Sequence, residues 1–131
     1  MDKDELQERM IAFAIRIIKM VDSMPSTISG QAIARQVIRS GTSPSANYRA
    51  ACIAKSDKDF LNKLKMVEEE LDETSHWLNI IMRSEILPAA RVQSLHQESC
   101  ELLSIIVKSI LTVKNRLKIA ETEKIKENIK L

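Results

Sequence analysis

The chain has 131 residues, among them only 2 Gly and 3 Pro, and its formal net charge is +2. Such sparse turn chemistry, with Leu, Ile, Ala, Lys and Glu dominant, predicts one all-α domain. The nearly balanced charge does not by itself indicate nucleic-acid binding. No run approaches ~18 apolar residues and no basic start precedes an apolar run, so we expect a soluble cytoplasmic protein without a membrane span or signal peptide. Cys52 and Cys100 lie far apart and are expected to be reduced thiols.

The first predicted helix covers residues 3–24. Apolar residues recur in it at alternating steps of four and three, the pattern of a bundle helix; they are Leu6, Met10, Phe13, Ile17, Met20 and Met24. Pro25 and Ser26 then break the helix and offer the start of a second one.

The third and fourth helices are predicted at residues 56–84 and after Pro88. Ser56 with Asp59 fits a capping box, and one face of the third helix carries Phe60, Leu64, Val67, Leu71, Leu78 and Ile81. The apolar residues of the fourth helix are Leu95, Leu102, Leu103, Ile106, Ile110, Val113 and Leu117. Apolar residues are few after that point. We therefore divide the chain into a bundle, residues 1–119, and a helical extension or disordered tail, residues 120–131.

The second segment, residues 26–55, contains the unusual run SGTSP. Its length matches the third helix, at roughly 43 Å for 1.5 Å per residue, and its four-three pattern continues through Gly41 and Pro44. The lengths predict one helix with a proline kink, in an antiparallel up-down-up-down four-helix bundle. Ser40, Thr42 and Ser43 could bond backbone groups that the proline frees. The competing interpretation makes Gly41 a C′ cap that ends a helix.

Small side chains crowd this segment, and we expect them to let another helix approach closely; they are Ser40, Gly41, Ala46, Ala50, Ala51 and Ala54. Asn47 is expected to be a buried polar group bonded to the distorted backbone, and Tyr48 a packing residue. Trp77 is expected to anchor the core or a contact between subunits.

No catalytic site emerges from the sequence. Residues 23–56 contain no Asp, Glu or His, so a nucleophile at Ser43, Ser45 or Cys52 lacks a neighbouring base. A di-iron bundle needs Glu-x-x-His on two helices, and only Glu73–His76 has that spacing. The sequence therefore predicts no enzyme, no metal, no cofactor and no small-molecule substrate.

Charge is unevenly distributed between the predicted helices. Residues 23–56 carry four cations and no acid, namely Arg35, Arg39, Arg49 and Lys55, whereas residues 57–85 carry eight acids and four bases. This asymmetry predicts pairing between the second and third helices, within one chain or between subunits. The alternative hypothesis is an RNA-binding strip formed by the four cations of the second helix.

Three motifs carry a family resemblance over nearly the whole chain, to about Leu117. They are RSGTSPSANY at 39–48, SDKDFLNKL at 56–64 and ETSHWL at 73–78. The sequence resembles the bacterial four-helix bundle family named for open reading frames in intervening sequences of large-subunit ribosomal RNA genes. Its structural signature in this chain is Gly41, Pro44, Asn47, Tyr48, Glu73 and Trp77. The family usually has an acid where this chain has Ala50.

The resemblance implies an antiparallel four-helix bundle that assembles into a homopentamer, without enzymatic activity. It also implies distant kinship with the accessory variability determinants of diversity-generating retroelements, basic pentamers that bind RNA and a reverse transcriptase. The expected function is therefore a homo-oligomeric assembly or scaffold protein, with itself as partner and no membrane. An RNA-binding accessory protein, with RNA or a reverse transcriptase as partner, is the alternative.

Overall fold

The computed structural model describes residues 1–130, and Leu131 lies outside the described residues. Four helices follow one another: α1 (Lys3–Asp22), α2 (Ile28–Cys52), α3 (Asp57–Arg83) and α4 (Ala89–Lys130). Short connections turn the chain back after each helix, so consecutive helices are antiparallel neighbours. The all-α four-helix bundle is confirmed.

The helix starts follow from side-chain caps. Each of the first three helices is preceded by a residue whose side-chain oxygen accepts from the N–H three positions later; the three acceptors are Asp2, Thr27 and Ser56, at 2.8, 3.0 and 3.1 Å. The predicted cap at Ser56 is therefore confirmed. The second helix begins two residues later than predicted because Thr27, and not Ser26, supplies its cap.

Helix α2 runs without interruption through Pro44. The C′-cap interpretation of Gly41 is wrong, because no glycine among residues 1–130 has a positive φ and Gly41 lies inside the helix. Pro44 itself is buried in the bundle. The length argument from the sequence therefore holds: the SGTSP run is helix interior and does not form a loop.

Each helix packs against its neighbours in the chain, and α1 packs against α4 to close a four-sided bundle. All six apolar positions predicted for the first helix are buried, although Met24 lies just beyond the end of α1 at Asp22. On α3 the prediction is wrong at one place: Phe60 is half-buried, and Leu61 takes the core position. The largest fully buried side chains are Phe13, Met10, Ile17, Leu64, Leu71, Leu78, Ile81, Leu102, Ile106, Val37, Val67 and Val92.

Helix α4 is much longer than its partners, with 42 residues against 27 in α3. Its last buried residue is Val113, Leu117 is half-buried, and every side chain from residue 118 to residue 130 is exposed. At 1.5 Å per residue these last 13 residues project roughly 20 Å. We call residues 118–130 the overhang.

Candidate functional site

The segment with the unusual sequence places Gly41 directly against Ile17 of α1. A Cβ at position 41 would lie 2.7 Å from Ile17 Cγ1 and 2.8 Å from Ile17 Cγ2, well inside van der Waals contact. Ile17 is fully buried, so a methyl group at position 41 would force one of the packed groups to shift. The glycine therefore sets the close approach of α1 and α2, as the cluster of small residues predicted. Of the other small residues, Ser40 and Ala51 are buried, Ala50 and Ala54 are half-buried, and Ala46 is exposed.

On its other side the same segment contacts α3 through a buried hydroxyl pair. Thr74 Oγ1 lies 2.9 Å from Ser40 Oγ and 2.7 Å from the carbonyl oxygen of Glu70. A threonine hydroxyl has one proton, so when Thr74 donates to Glu70, Ser40 donates to Thr74. Both side chains are fully buried, and this shared bond satisfies them. The contact locks the register of α2 on α3.

Hydroxyl groups surround Pro44, as expected, but they bond different carbonyls than predicted. Thr42 and Ser43 donate to the carbonyls four residues before them, both at 2.6 Å, and Ser45 donates to Thr42 O at 3.0 Å. Pro44 has no N–H to donate to the carbonyl of Ser40, and none of these three hydroxyls donates to that carbonyl. The expectation for Asn47 is wrong: its side chain is half-buried, and among residues 1–130 it takes part in no side-chain hydrogen bond. Its amide stays within reach of solvent, which can supply the hydrogen bonds that a buried amide takes from the protein.

Tyr48 packs in the core, as predicted, with 4% of its surface exposed. Burial raises the pKa of its hydroxyl well above the ordinary value of 10.0. A phenol held neutral in this way does not serve as a general base near neutral pH. Half-buried Cys52 lies one turn further along the same helix.

The basic residues of α2 divide into paired and unpaired groups. Arg39 reaches across to α3, where it contacts Glu70 at 3.2 Å and also hydrogen-bonds Glu73. The hydrogen bond that Arg39 donates to Glu73 and the charges of both carboxylates raise the pKa of Arg39. The predicted pairing of the second and third helices thus occurs within one chain at this position.

The other three predicted cations, Arg35, Arg49 and Lys55, are exposed and take part in none of the ion pairs among residues 1–130. Arg35 and Arg49 project from the same outer face of α2, since 14 residues are close to four whole turns. Lys55 lies apart from them, after the end of α2, where it lines an open cleft of about 600 Å³. The structure therefore does not gather the four cations into one strip.

Trp77 is half-buried, and its indole Nε1 is buried without a hydrogen-bond partner among the described residues. The ring of His76 lies edge-on to it, with centroids 5.2 Å apart. Glu73, whose spacing from His76 matches half of a di-iron motif, accepts a hydrogen bond from Arg39. Among residues 1–130, no three His, Cys, Asp or Glu side chains gather as metal ligands.

The fold and the signature positions now allow comparison with known proteins. The sequence profile of the 23S rRNA-intervening sequence protein family matches residues 3–108. The chain belongs to this family. Among curated proteins, no significant match was found.

One solved structure similar to this intervening sequence protein is a protein of unknown function of the S23 ribosomal protein family, from Bacteroides thetaiotaomicron. The two share 30% sequence identity with a TM-score of 0.75, over 80% of this chain and 97% of the other. The bundle is therefore a common property of both proteins. The overhang lies beyond the residues that the family profile matches.

Sequence reasoning missed a contact between Ser75 of α3 and two residues of α4. Ser75 Oγ lies 3.3 Å from His96 Nε2 and 3.6 Å from Cys100 Sγ. The spacing of His96 and Cys100 on one helix face was the available signal, but it did not identify Ser75. No carboxylate among the described residues hydrogen-bonds the imidazole, so the group lacks the acid that orients a catalytic histidine.

A second missed feature joins α1 to α4 in this family member. Arg9 bonds Glu98 with two parallel contacts of 2.8 and 2.6 Å, and its Nη2 also contacts Glu101 at 2.6 Å. The hydrogen bond from Arg9 lowers the pKa of Glu98 below its ordinary value of 4.5. Forked arginine–carboxylate pairs of this kind fix orientation. The pair therefore sets how α1 lies on α4.

An apolar stripe faces outward on α1. Ile11, Ile15 and Ile18 are 38%, 47% and 42% exposed, and their spacing of four and three places them on one face of the helix. They turn away from the buried side of α1, which carries its own stripe into the core. Within residues 1–130, no helix combines the length and apolar character that a membrane crossing requires.

Proposed function

We propose that this intervening sequence protein is a non-enzymatic assembly protein: its bundle forms a homo-oligomer, a pentamer, which serves as a scaffold for a protein partner. The observation that carries the proposal is the exposed isoleucine stripe of α1. Three β-branched apolar side chains on the outer face of an otherwise charged amphipathic helix form a patch typical of protein interfaces.

Further support comes from how the chain uses its chemically active groups. The basic Arg39 is held by two carboxylates, and the hydroxyls around Pro44 are bonded to backbone carbonyls. The contact between the Ser75 hydroxyl and the His96 imidazole lacks an orienting acid within the part of the chain that the structure describes. Arg39 thus joins α2 to α3, and the hydroxyls bond the backbone of their own helix. Such structural roles suit an assembly protein better than an enzyme.

The test is the mass of the full chain in solution, measured by light scattering over a range of concentrations. One chain has a mass of 14.9 kDa, and we expect a multiple of it, five for a pentamer. Ile15→Lys should lower the mass, because burying an unpaired ammonium in an apolar interface is costly. Ile28→Lys is the matched control, since Ile28 is 94% exposed and lies outside the stripe. A full chain that stays monomeric at high concentration would contradict the proposal.

RNA binding is a second candidate function, and the observation that favours it is the unpaired state of Arg35 and Arg49. Phosphate contacts made by these side chains should weaken steeply as salt rises. In a filter-binding assay, Arg35→Glu and Arg49→Glu should abolish binding, while Arg39→Gln should matter less because Arg39 already faces two carboxylates. A reverse transcriptase as partner belongs to this candidate. Failure to bind RNA at low salt rules the candidate out.

A further inference from the structure

The overhang of α4 exposes an apolar face that has no packing partner among residues 1–130. Residues at steps of four, three and four share this face, flanked by two more; the six are Lys118, Ile119, Thr122, Ile125, Lys126 and Ile129. The isoleucines are 60%, 53% and 78% exposed. Lys118 and Lys126 lie on this face, Glu121 and Glu123 lie at its two edges, and Glu127 projects from the opposite side of the helix. The overhang thus presents an amphipathic helix whose apolar face carries two lysines.

A groove of opposite charge lies between α3 and α4. It has a volume of about 260 Å³ and is lined by three acids of α3 and two apolar residues of α4, namely Glu68, Glu69, Asp72, Leu103 and Val107. None of the ion pairs among residues 1–130 involves these three carboxylates. Leu111, 57% exposed, continues the apolar floor one turn further. The groove combines an apolar floor with an unpaired acidic wall.

We propose that the overhang of one copy docks into the acidic groove of a second copy, with its isoleucines on Leu103 and Val107 and its lysines beside Glu69 and Asp72. The charges are complementary, and both surfaces have an apolar centre with a charged edge, as helix-in-groove contacts require. This inference rests on the proposed homo-oligomer and names one of its contacts.

The contact has to be between chains. Helix α4 is continuous from Ala89 to Lys130, so the overhang cannot fold back onto the groove that the same helix lines. Ile125 lies roughly 27 Å along the axis from Val107 at 1.5 Å per residue. The overhang can therefore reach such a groove only in a second copy of the chain. Since the family profile ends at residue 108, the contact is a feature of this chain beyond the matched family pattern.

The experiment uses charge reversal in the full chain, with assembly followed by sedimentation over a concentration series. The tail variant Lys118→Glu with Lys126→Glu should raise the concentration for half-assembly by roughly tenfold, and the groove variant Glu69→Lys with Asp72→Lys by a similar factor. A chain carrying all four reversals should recover most of the lost assembly, because opposite charges face each other again between copies. Lys124→Glu, on the opposite side of the overhang, is the matched control and should have little effect.

Ile125→Asp gives a second, charge-independent measurement. The side chain is exposed in the single chain, so its replacement should leave the helix content and the thermal unfolding of the bundle unchanged while weakening assembly at least tenfold. If tail and groove variants assemble like the unmodified protein, the docking is wrong and the homo-oligomer stands. Weakening without recovery in the fourfold variant also overturns the docking. An unmodified chain that stays monomeric removes both proposals.

Discussion

Gly41 of α2 and Ile17 of α1 touch so closely that no side chain fits between them. A Cβ at position 41 would lie 2.7 Å from the isoleucine. Since Ile17 is fully buried, a methyl group there cannot be accommodated by a side-chain rotation. The glycine is therefore required by packing, although glycine lowers helix propensity.

Gly41→Ala should accordingly destabilise the bundle by about 1–2 kcal/mol. Overpacking costs about 1–3 kcal/mol, and the better helix propensity of alanine offsets up to about 1 kcal/mol of it. Chemical denaturation measures the change. Ile17→Ala in the Gly41→Ala background should cost clearly less than in the unmodified protein, because it removes the clashing atoms. Equal costs in both backgrounds would show that the two residues do not interact.

Pro44→Ala should keep or raise helicity and thermal stability. A proline in a helix interior removes one backbone hydrogen bond and destabilises the helix by ~3 kcal/mol or more. Alanine restores the hydrogen bond and part of this stability. Circular dichroism and thermal unfolding report both quantities, and Pro88→Ala, outside any helix interior, is the control. If the distortion positions neighbouring subunits, the same change lowers the oligomer mass. Loss of the folded state would contradict this account of α2.

The buried pair of Ser40 and Thr74 predicts an asymmetric pattern of costs. Thr74→Val leaves the Ser40 hydroxyl buried without that partner and should cost about 1–3 kcal/mol. Ser40→Ala should cost less, since Thr74 keeps its bond to the Glu70 carbonyl. The double variant should be no less stable than Thr74→Val alone, as measured by urea unfolding. A double variant that loses the sum of both costs would exclude the shared bond.

The Arg9–Glu98 pair predicts a stability change in mildly acidic solution. The pKa of Glu98 is lower in the folded chain than its ordinary value of 4.5, so the folded state binds fewer protons. Its contribution is complete above about pH 5 and is lost as pH falls through the lowered pKa. Glu98→Gln should therefore lose less stability than the unmodified protein between pH 6 and pH 3. If the free energy of unfolding changes equally with pH in both proteins across this range, the stabilising role of the Arg9–Glu98 pair is refuted.

Local patterns predicted most of the fold but not its side-chain pairs. The core-facing apolar positions of α1 were sufficient to predict a bundle helix. The equal lengths of the predicted second and third helices were sufficient to predict a continuous helix through Pro44. The prediction placed Phe60 in the core where the structure has Leu61, and the cause is local. Phe60 lies in the first turn of α3, and no earlier turn of the helix extends the apolar pattern. The pattern therefore fits Phe60 and Leu61 almost equally well. Asn47 was expected to be buried and is half-buried, because the burial of its position depends on how α2 is rotated against its neighbours.

The sequence by itself determined four helices, the cap at Ser56 and the sides that enter the core, because these depend on spacing within one helix. Only the tertiary structure decided that Arg39 meets Glu70 and Glu73, that Arg9 meets Glu98, and that Gly41 rests on Ile17. Such pairs join residues of different helices, and they depend on how far each helix is rotated and shifted against the next. The apolar periodicity shows which side of a helix faces the core, but it does not determine the rotation of the helix more finely than about the width of one side chain. Close packing of buried side chains, which tolerates a single arrangement, selects it.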